Sequence, residues 1–401
     1  MSRLPALDVL RALGAAAVVA VHAGFATGAS ANPRWGGLTA RMDVGVAVFF
    51  VLSGFLLFRP WALAAAARTG AVDAAAAAGP GAVEARPPAI GRYLWRRALR
   101  ILPAYWLTMT VCLLLLSGDR HIPPGEWLRM ATLTQIYARG HLHDGLGHTW
   151  SLATEVAFYL LLPLLAGPVL GARWRPGRTL ALLAAGGVAV TGGWVALMAA
   201  GRLDMGLHTM WLPAFASWFA AGMGLATAHV AVESGAGGRW RLPVEAGRAP
   251  LTCWAIAAGL FAVAGTPLTG PWDLSEPSPG AFGARMALFL MIAVALVLPV
   301  AFAPPGRFRE TLAHPVARWL GTVSFGLFLW HPFVLAVLRA RTTDGGFAEV
   351  YAATLAGGLL LGTASWYALE RPLHRLARGF RPVRVAATAT GGEPAGVRGG
   401  G

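Results

Sequence analysis

Residues 5–25 read PALDVLRALGAAAVVAVHAGF, an apolar run interrupted only by Asp8, Arg11 and His22. A helix needs about 20 mostly apolar residues to cross the hydrocarbon core of a bilayer, and this stretch supplies them. Arg11 and His22 are separated by ten residues with no other ionisable group. At about 100° per residue, eleven steps return to within about 20° of the starting direction, so both side chains are predicted on one face, about 16 Å apart along the axis. An Arg in mid-span costs about 2.5–3.5 kcal/mol on the insertion scale, so two ionisable groups on one face point to a shared polar cavity. The alternative is that Arg11 anchors the helix at the membrane boundary while His22 hydrogen-bonds a neighbouring helix.

The rest of the chain fits a membrane protein. Of 401 residues, 56% are hydrophobic and 13% charged, and the mean hydropathy is +0.57. A soluble domain carries about 25% charged residues, so the expected fold class is all-α, a polytopic transmembrane helical bundle. Runs long enough to span lie near 5–25, 42–59, 99–117, 150–170, 178–200, 209–229, 250–267, 284–303, 318–339 and 348–369, which makes ten. With the amino terminus inside, 23 arginines fall in cytoplasmic segments and eight in external ones, leaving Arg11 and Arg285 in spans. The positive-inside rule then places both termini in the cytoplasm. All 33 basic residues are Arg, which reads as a GC-rich bacterial coding bias and predicts a multi-pass protein of the bacterial cell membrane. Membrane orientation accounts for the net charge of +15, so nucleic acid is not an expected partner. Cys112 and Cys253 both lie in apolar segments and imply neither a disulfide framework nor a cysteine metal site.

The expected organisation is a membrane-embedded domain over 1–373, with residues 60–91 a flexible cytoplasmic loop rich in Ala, Gly and Pro, and 374–401 a largely disordered cytoplasmic tail. Asp8 and Arg11 interrupt the first apolar run, so it reads as a retained helix rather than a cleaved signal. Residues 118–149 are too polar to span, but Trp127, Leu128, Met130, Leu133 and Ile136 suit an interfacial or re-entrant helix.

Arg92, Arg96, Arg97 and Arg100 precede the third span at helical spacing and predict a guanidinium stripe. Planar guanidinium forks bind phosphate bidentately, so the stripe suits a cytosolic polyphosphate such as coenzyme A; the alternative is topology and contact with anionic lipid. Glu155, inside the fourth span, needs a partner, and His22 is the expected one; a helix-start carboxylate at the interface is the alternative. His331, between Trp330 and Pro332, reads as packing or as an accessory catalytic residue. His121, His141, His143 and His148 with Asp144 form a weak metal pattern, and no metal is expected. Ser53 offers a nucleophile, yet Ser53-Gly54 more simply permits close helix packing.

Five blocks in order resemble the acyltransferase 3 family of integral-membrane acyltransferases: Leu7-Asp8 through Arg11 to His22 (Arg-x10-His), VGVAVFFVLSGF at 44–55, RRALRILPAYW at 96–106, HTWSL at 148–152 onward to Glu155 and Phe158-Tyr159, and SFGLFLWH at 324–331. Glu370-Arg371-Pro372 is also similar, and the resemblance runs from about residue 5 to residue 373. It implies transfer of an acyl group, commonly acetyl, from acyl-CoA to a hydroxyl on a cell-envelope saccharide or glycolipid, with no tightly bound cofactor. It carries essential roles onto Arg11 and His22 and the Arg-x-x-Arg motif onto Arg97 and Arg100. Ala47 and Val156 stand where many members have acidic residues, which leaves Asp43 as a possible replacement.

The mechanism expected from these readings makes His22 the general base, or a transient acyl carrier, with Glu155 orienting it. Arg11 offsets charge on the tetrahedral intermediate, Arg97 and Arg100 with Arg96 hold the CoA phosphates, and Ser53, Asp43 and His331 are accessory. A secreted small molecule such as a macrolide is the alternative acceptor. A proton-coupled transporter is the alternative class, because intramembrane Arg, His and Glu also build substrate paths.

Overall fold

The computed structural model describes residues 4–72, 87–116, 122–138, 143–235, 240–341 and 345–379. Its helices are α1 (Leu7–Ala26), α2 (Gly36–Ala40), α3 (Val44–Arg68), α4 (Ile90–Leu115), α5 (Pro124–Ala131), α6 (Trp150–Leu170), α7 (Pro176–Ala199), α8 (Met205–His208), α9 (Ala216–Glu233), α10 (Arg241–Arg248), α11 (Pro250–Ala264), α12 (Pro279–Phe302), α13 (Arg307–Leu312), α14 (Pro315–Arg341), α15 (Phe347–Ser365) and α16 (Arg371–Gly379). A π-helical turn, Trp366–Glu370, joins the last two. Lipid offers no partner to a backbone N–H or C=O, so helices are the expected solution. Proline opens α5, α7, α11, α12 and α14, where its missing N–H has no intrahelical acceptor in any case. Gly28, at φ 71°, closes α1 in the left-handed region.

Nine helices among the described residues are long and apolar enough to cross a membrane, and a tenth crossing arises if α10 and α11 count as one bent unit. The span expected near 250–267 is therefore the unusual one: α11 has only 15 residues and meets α10 at 91°. Close backbone approaches hold both its ends, Gly247 against Phe302 and Gly265 against Gly37. Nothing in its composition announces the sharp turn at Ala249.

Successive spans alternate in direction, so one end of the bundle gathers the start of α1, the end of α3, the start of α4 and the end of α6. Asp8 packs on Gly321 there, and Arg68 Nη2 donates to the Gly171 carbonyl at 3.4 Å. We refer to it as the arginine-rich end. α3 and α9 form the centre, with 72% and 78% of their apolar windows buried, whereas α7 has only 17% buried and turns its side chains outward. The two central helices touch at Gly54 and Gly222, where an added Cβ would lie 2.3 Å from the Phe219 carbonyl and 2.0 Å from that of Val51. Gly54 thus serves helix packing.

Two boundaries differ from the sequence reading. The expected 60–91 loop begins as helix, because α3 continues through Pro60 to Arg68. Burial of Trp61, Ala62, Ala64, Ala65 and Ala66 offsets the backbone hydrogen bond lost at Pro60, and Arg59 Nη2 clamps both Glu233 carboxylate oxygens at 2.8 Å. The expected tail also starts as helix, α16 extending to Gly379. Residues 73–86 and 380–401, the middle of that loop and most of the tail, lie outside the described residues.

The polar stretch before α6 does hold an amphipathic helix, α5. Tyr105 Oη donates to the Met130 carbonyl and Trp106 Nε1 to that of Ala131, each at 2.8 Å. These residues lie nine or ten positions before the end of α4, about 15 Å along its axis, so the segment dips back into the bundle. His148 lies in a 3-10 turn, Gly147–Thr149, that leads directly into α6.

Candidate active site

One cavity opens among α1, α3, α4, α6 and α14, and Arg11, Ser53, Arg97, Arg100, Glu155 and Tyr159 supply its polar wall. Arg97 and Arg100, three residues apart, share the inner face of α4, while Arg92 and Arg96 are exposed on the outer face. Of the expected stripe, then, only Arg97 and Arg100 reach the cavity. Arg11 faces them from α1, its Nη1 donating to Asp8 Oδ1 at 2.9 Å. Arg100 experiences repulsion from both Arg11 and Arg97 and attraction from Glu370, which is only 4% exposed in the π-helical turn. The Arg97 Nε is buried and has no hydrogen-bond partner among the described residues.

Glu155 accepts a hydrogen bond from Ser53 Oγ rather than from His22. The expected pairing fails for a geometric reason. Glu155 is seven residues beyond His148 on the α6 side, about 10 Å along the axis, and that places it level with Ser53. Ser53 contributes its hydroxyl to the cavity while its neighbour Gly54 packs on α9.

His22 lies one layer farther from the arginine-rich end, beyond Phe49 and Phe328, both of which line the cavity. There it meets two other histidines. Ring centroids are 5.0 Å apart for His22 and His331, 5.1 Å for His148 and His331, and 6.4 Å for His22 and His148. Pro332 has no N–H, so the Phe328 carbonyl, four residues back, lacks its usual helical donor. His331 Nδ1 fills that gap, donating to the Phe328 oxygen at 2.8 Å with the Leu327 oxygen at 3.2 Å.

This bond fixes two tautomers. With its proton on Nδ1, a neutral His331 presents Nε2 as an acceptor. His22 Nδ1 lies 3.0 Å from that Nε2 and 2.9 Å from the Val18 carbonyl, so it faces two acceptors and must carry a proton. His22 Nε2 is left with a free lone pair, the arrangement a general base requires. His148 is 5% exposed, yet neither of its ring nitrogens has a hydrogen-bond partner among the described residues.

Asp43 sits elsewhere, before the first turn of α3 at the opposite end of the bundle, under the electrostatic influence of Arg285 and Arg41. Arg41 is 2% exposed and donates to Thr269 Oγ1 at 2.6 Å and to the carbonyls of Gly270 and Pro271 at 2.6 and 2.8 Å. Arg285 donates to the Thr269 carbonyl at 2.9 Å. The two arginines organise a loop, and none of the three charged residues lines the cavity. Of the histidines weighed as a metal pattern, His143 pairs with Glu126 at 2.9 Å, and His121 and His141 lie outside the described residues. Among the described residues, no three His, Cys, Asp or Glu side chains are placed to hold a metal ion.

His148 and Tyr159 were absent from the expected site. A signal for both existed: His148, Ser151, Leu152, Glu155 and Tyr159 recur at three- and four-residue steps, the periodicity of one helical face. Grouped with the other histidines of the preceding stretch, His148 does not stand out as the one that lies in the 3-10 turn Gly147–Thr149 leading into α6.

Comparisons with known proteins identify the family. A family model for the acyltransferase domain (acyltransferase 3) matches residues 4–371. The chain is 28% identical over 353 residues to the exopolysaccharide production protein ExoZ of Rhizobium meliloti (strain 1021), covering 84% of this chain and 91% of ExoZ. No solved structure matches. The family match over nearly the whole chain and the helical membrane architecture agree: the chain belongs to the acyltransferase 3 family and is a multi-pass membrane acyltransferase.

Proposed function

We propose that this enzyme, in a bacterial cell membrane, moves an acyl group, acetyl in the first instance, from acyl-CoA to a hydroxyl of a cell-envelope saccharide or glycolipid. The name of the relative ExoZ supports a saccharide acceptor. The observation that supports the donor assignment is the cavity wall itself, which Arg97 and Arg100 share with Glu155: Arg11 is paired with Asp8 and Arg100 is drawn to Glu370, but the Arg97 Nε has no hydrogen-bond partner among the described residues. Guanidinium forks with donors to spare suit phosphate. The positive-inside rule turns the arginine-rich end toward the cytosol, the source of acyl-CoA.

In this reading the CoA phosphates bind Arg97 and Arg100, with Arg11 on the opposite wall. Arg96, on the outer face, takes no part. The pantetheine arm parts the edge-to-face contact of Phe49 and Phe328, whose ring centroids are 6.3 Å apart, and delivers the thioester to His22. The acceptor oxygen attacks the thioester carbonyl carbon as its proton moves to His22 Nε2. When the tetrahedral intermediate collapses, the C–S bond breaks, the electron pair leaves on sulfur, and His22 returns the proton to give the CoA thiol. His331 is a positioning residue, holding the tautomer that leaves His22 Nε2 free. Glu155 and Ser53 polarise the cavity wall.

The test uses purified protein in lipid nanodiscs with acetyl-CoA labelled in the acetyl group and an oligosaccharide acceptor. Label is expected in the acceptor ester, and His22→Ala should abolish transfer while the protein stays folded and monodisperse. Full transfer by His22→Ala, or none by the wild type with any hydroxyl acceptor, contradicts the proposal.

A further inference from the structure

A tetrahedral intermediate on the thioester carbon needs a hydrogen-bond donor for its oxyanion, within about 3 Å of that oxygen. Arg11 is too far away to provide it. It lies eleven positions before His22 on α1, which is about 16 Å along a helix axis, far longer than either side chain can bridge to a common carbon. The nearby alternatives are already engaged. His331 donates its Nδ1 proton to the Phe328 carbonyl, His22 gives its own to Val18 and His331, and the Ser151 hydroxyl donates to the His148 carbonyl at 3.0 Å.

His148 has capacity to spare among the described residues; the Trp330 Nε1 also lacks a partner, but its ring packs on Phe333 rather than on the histidines. The His148 ring lies 6.4 Å from His22 and 4.7 Å from Phe328 and is 5% exposed; neither nitrogen makes a hydrogen bond of normal geometry to a described residue, and the backbone acceptor beside it, the Phe328 carbonyl, is already held by His331. A buried polar group left in this condition costs about 1–3 kcal/mol, and the cost is removed once an oxygen accepts from it. We propose that His148 is the oxyanion donor of the acyl transfer, its ring N–H binding the carbonyl oxygen of the acyl thioester opposite the His22 base. This assignment rests on the acyl-CoA reading above.

The electron count is that of the transfer already written. The carbonyl π pair moves onto oxygen as the acceptor adds, His148 hydrogen-bonds the resulting oxyanion without giving up its proton, and the pair returns as the C–S bond breaks. A neutral imidazole suffices for this role.

The experiment compares His148→Phe, which keeps a ring against Phe328 and His331 but removes the donor, with His148→Gln, which keeps an N–H. His148→Phe should lower kcat about 10²–10³-fold with the KM for acetyl-CoA nearly unchanged, since the phosphates bind a layer away, and His148→Gln should recover most of the loss. Wild-type kcat in His148→Phe, or equal impairment of both variants at wild-type thermal stability, overturns the assignment. A second readout does not depend on how the substitutions fold: the stretch of a 13C-labelled acetyl carbonyl bound to His22→Ala protein, with His148 intact. It should shift to lower wavenumber than in free acetyl-CoA, and an unshifted band also overturns the assignment. If wild-type protein transfers no label from acetyl-CoA, it is the donor reading itself that fails, a result distinct from either of these.

Discussion

The molecule buries arginines at both ends of the bundle, and the two sets are built differently. Arg41 and Arg285 converge on one short loop, where four of their hydrogen bonds end on Thr269, Gly270 and Pro271 at 2.6–2.9 Å. Arg97 and Arg100 line an open cavity, repel one another and Arg11, and make no hydrogen bond to a described carbonyl or carboxylate. Burying an unsatisfied cation is costly, and a protein keeps one only where something else supplies the partner. The first set is therefore architecture, and the second fits the proposed role of receiving an anion. Hydrogen-bond saturation, more than depth or charge, separates them.

The largest expected effect falls on the receptor set. Removing both guanidiniums in Arg97→Ala/Arg100→Ala should raise the KM for acyl-CoA by at least ~10²-fold, because each hydrogen bond to a charged group is worth about 1.5–3 kcal/mol. Thermal stability in detergent should hold or rise in Arg97→Ala, which only relieves repulsion, and fall in Arg100→Ala, which also strips buried Glu370 of its cation. Arg41→Met should do the reverse, costing about 3 kcal/mol of stability by orphaning the Thr269–Pro271 acceptors while leaving the KM of the folded fraction alone. A fluorescence-detected melting curve paired with initial rates separates the two outcomes. Arg97→Lys sharpens the contrast further: charge remains but the planar fork is lost, so about a tenfold rise in KM is expected, whereas mere charge neutralisation predicts none. Arg96→Ala should change KM by less than about twofold, because an exposed cation contributes little. An effect of Arg96 as large as that of Arg97 would mean that the outer face of α4 also binds the donor.

Much of the bundle was legible from the chain because lipid leaves few choices: apolar runs of sufficient length become helices. The departures occur where side-chain burial overrides composition. The Ala-rich segment after Pro60 looked like a loop, yet its alanines fill the contact between α3 and its neighbours. The turn at Ala249 depends on Gly247 meeting Phe302, a tertiary contact that no local signal encodes.

The site was legible in its parts and less so in its assembly. Eleven-residue spacing identified Arg11 and His22 as sharing a face, but the same spacing sets them in different layers, and a face alone does not reveal a depth. Periodicity could not say which of Arg96 and Arg97 turns inward, since neighbours on a helix differ by about 100° and only packing chooses. His331 was undervalued because the consequence of Pro332, a freed carbonyl that fixes an imidazole tautomer, emerges only when His22 is seen beside it.

A division of labour between the two layers is the central claim, and equilibrium binding tests it without turnover. CoA should bind the His22→Ala protein in nanodiscs with wild-type affinity, as measured by calorimetry, and should fail to bind Arg97→Ala/Arg100→Ala protein that remains folded. Undiminished binding to the arginine variant, or its loss in His22→Ala, would contradict the account.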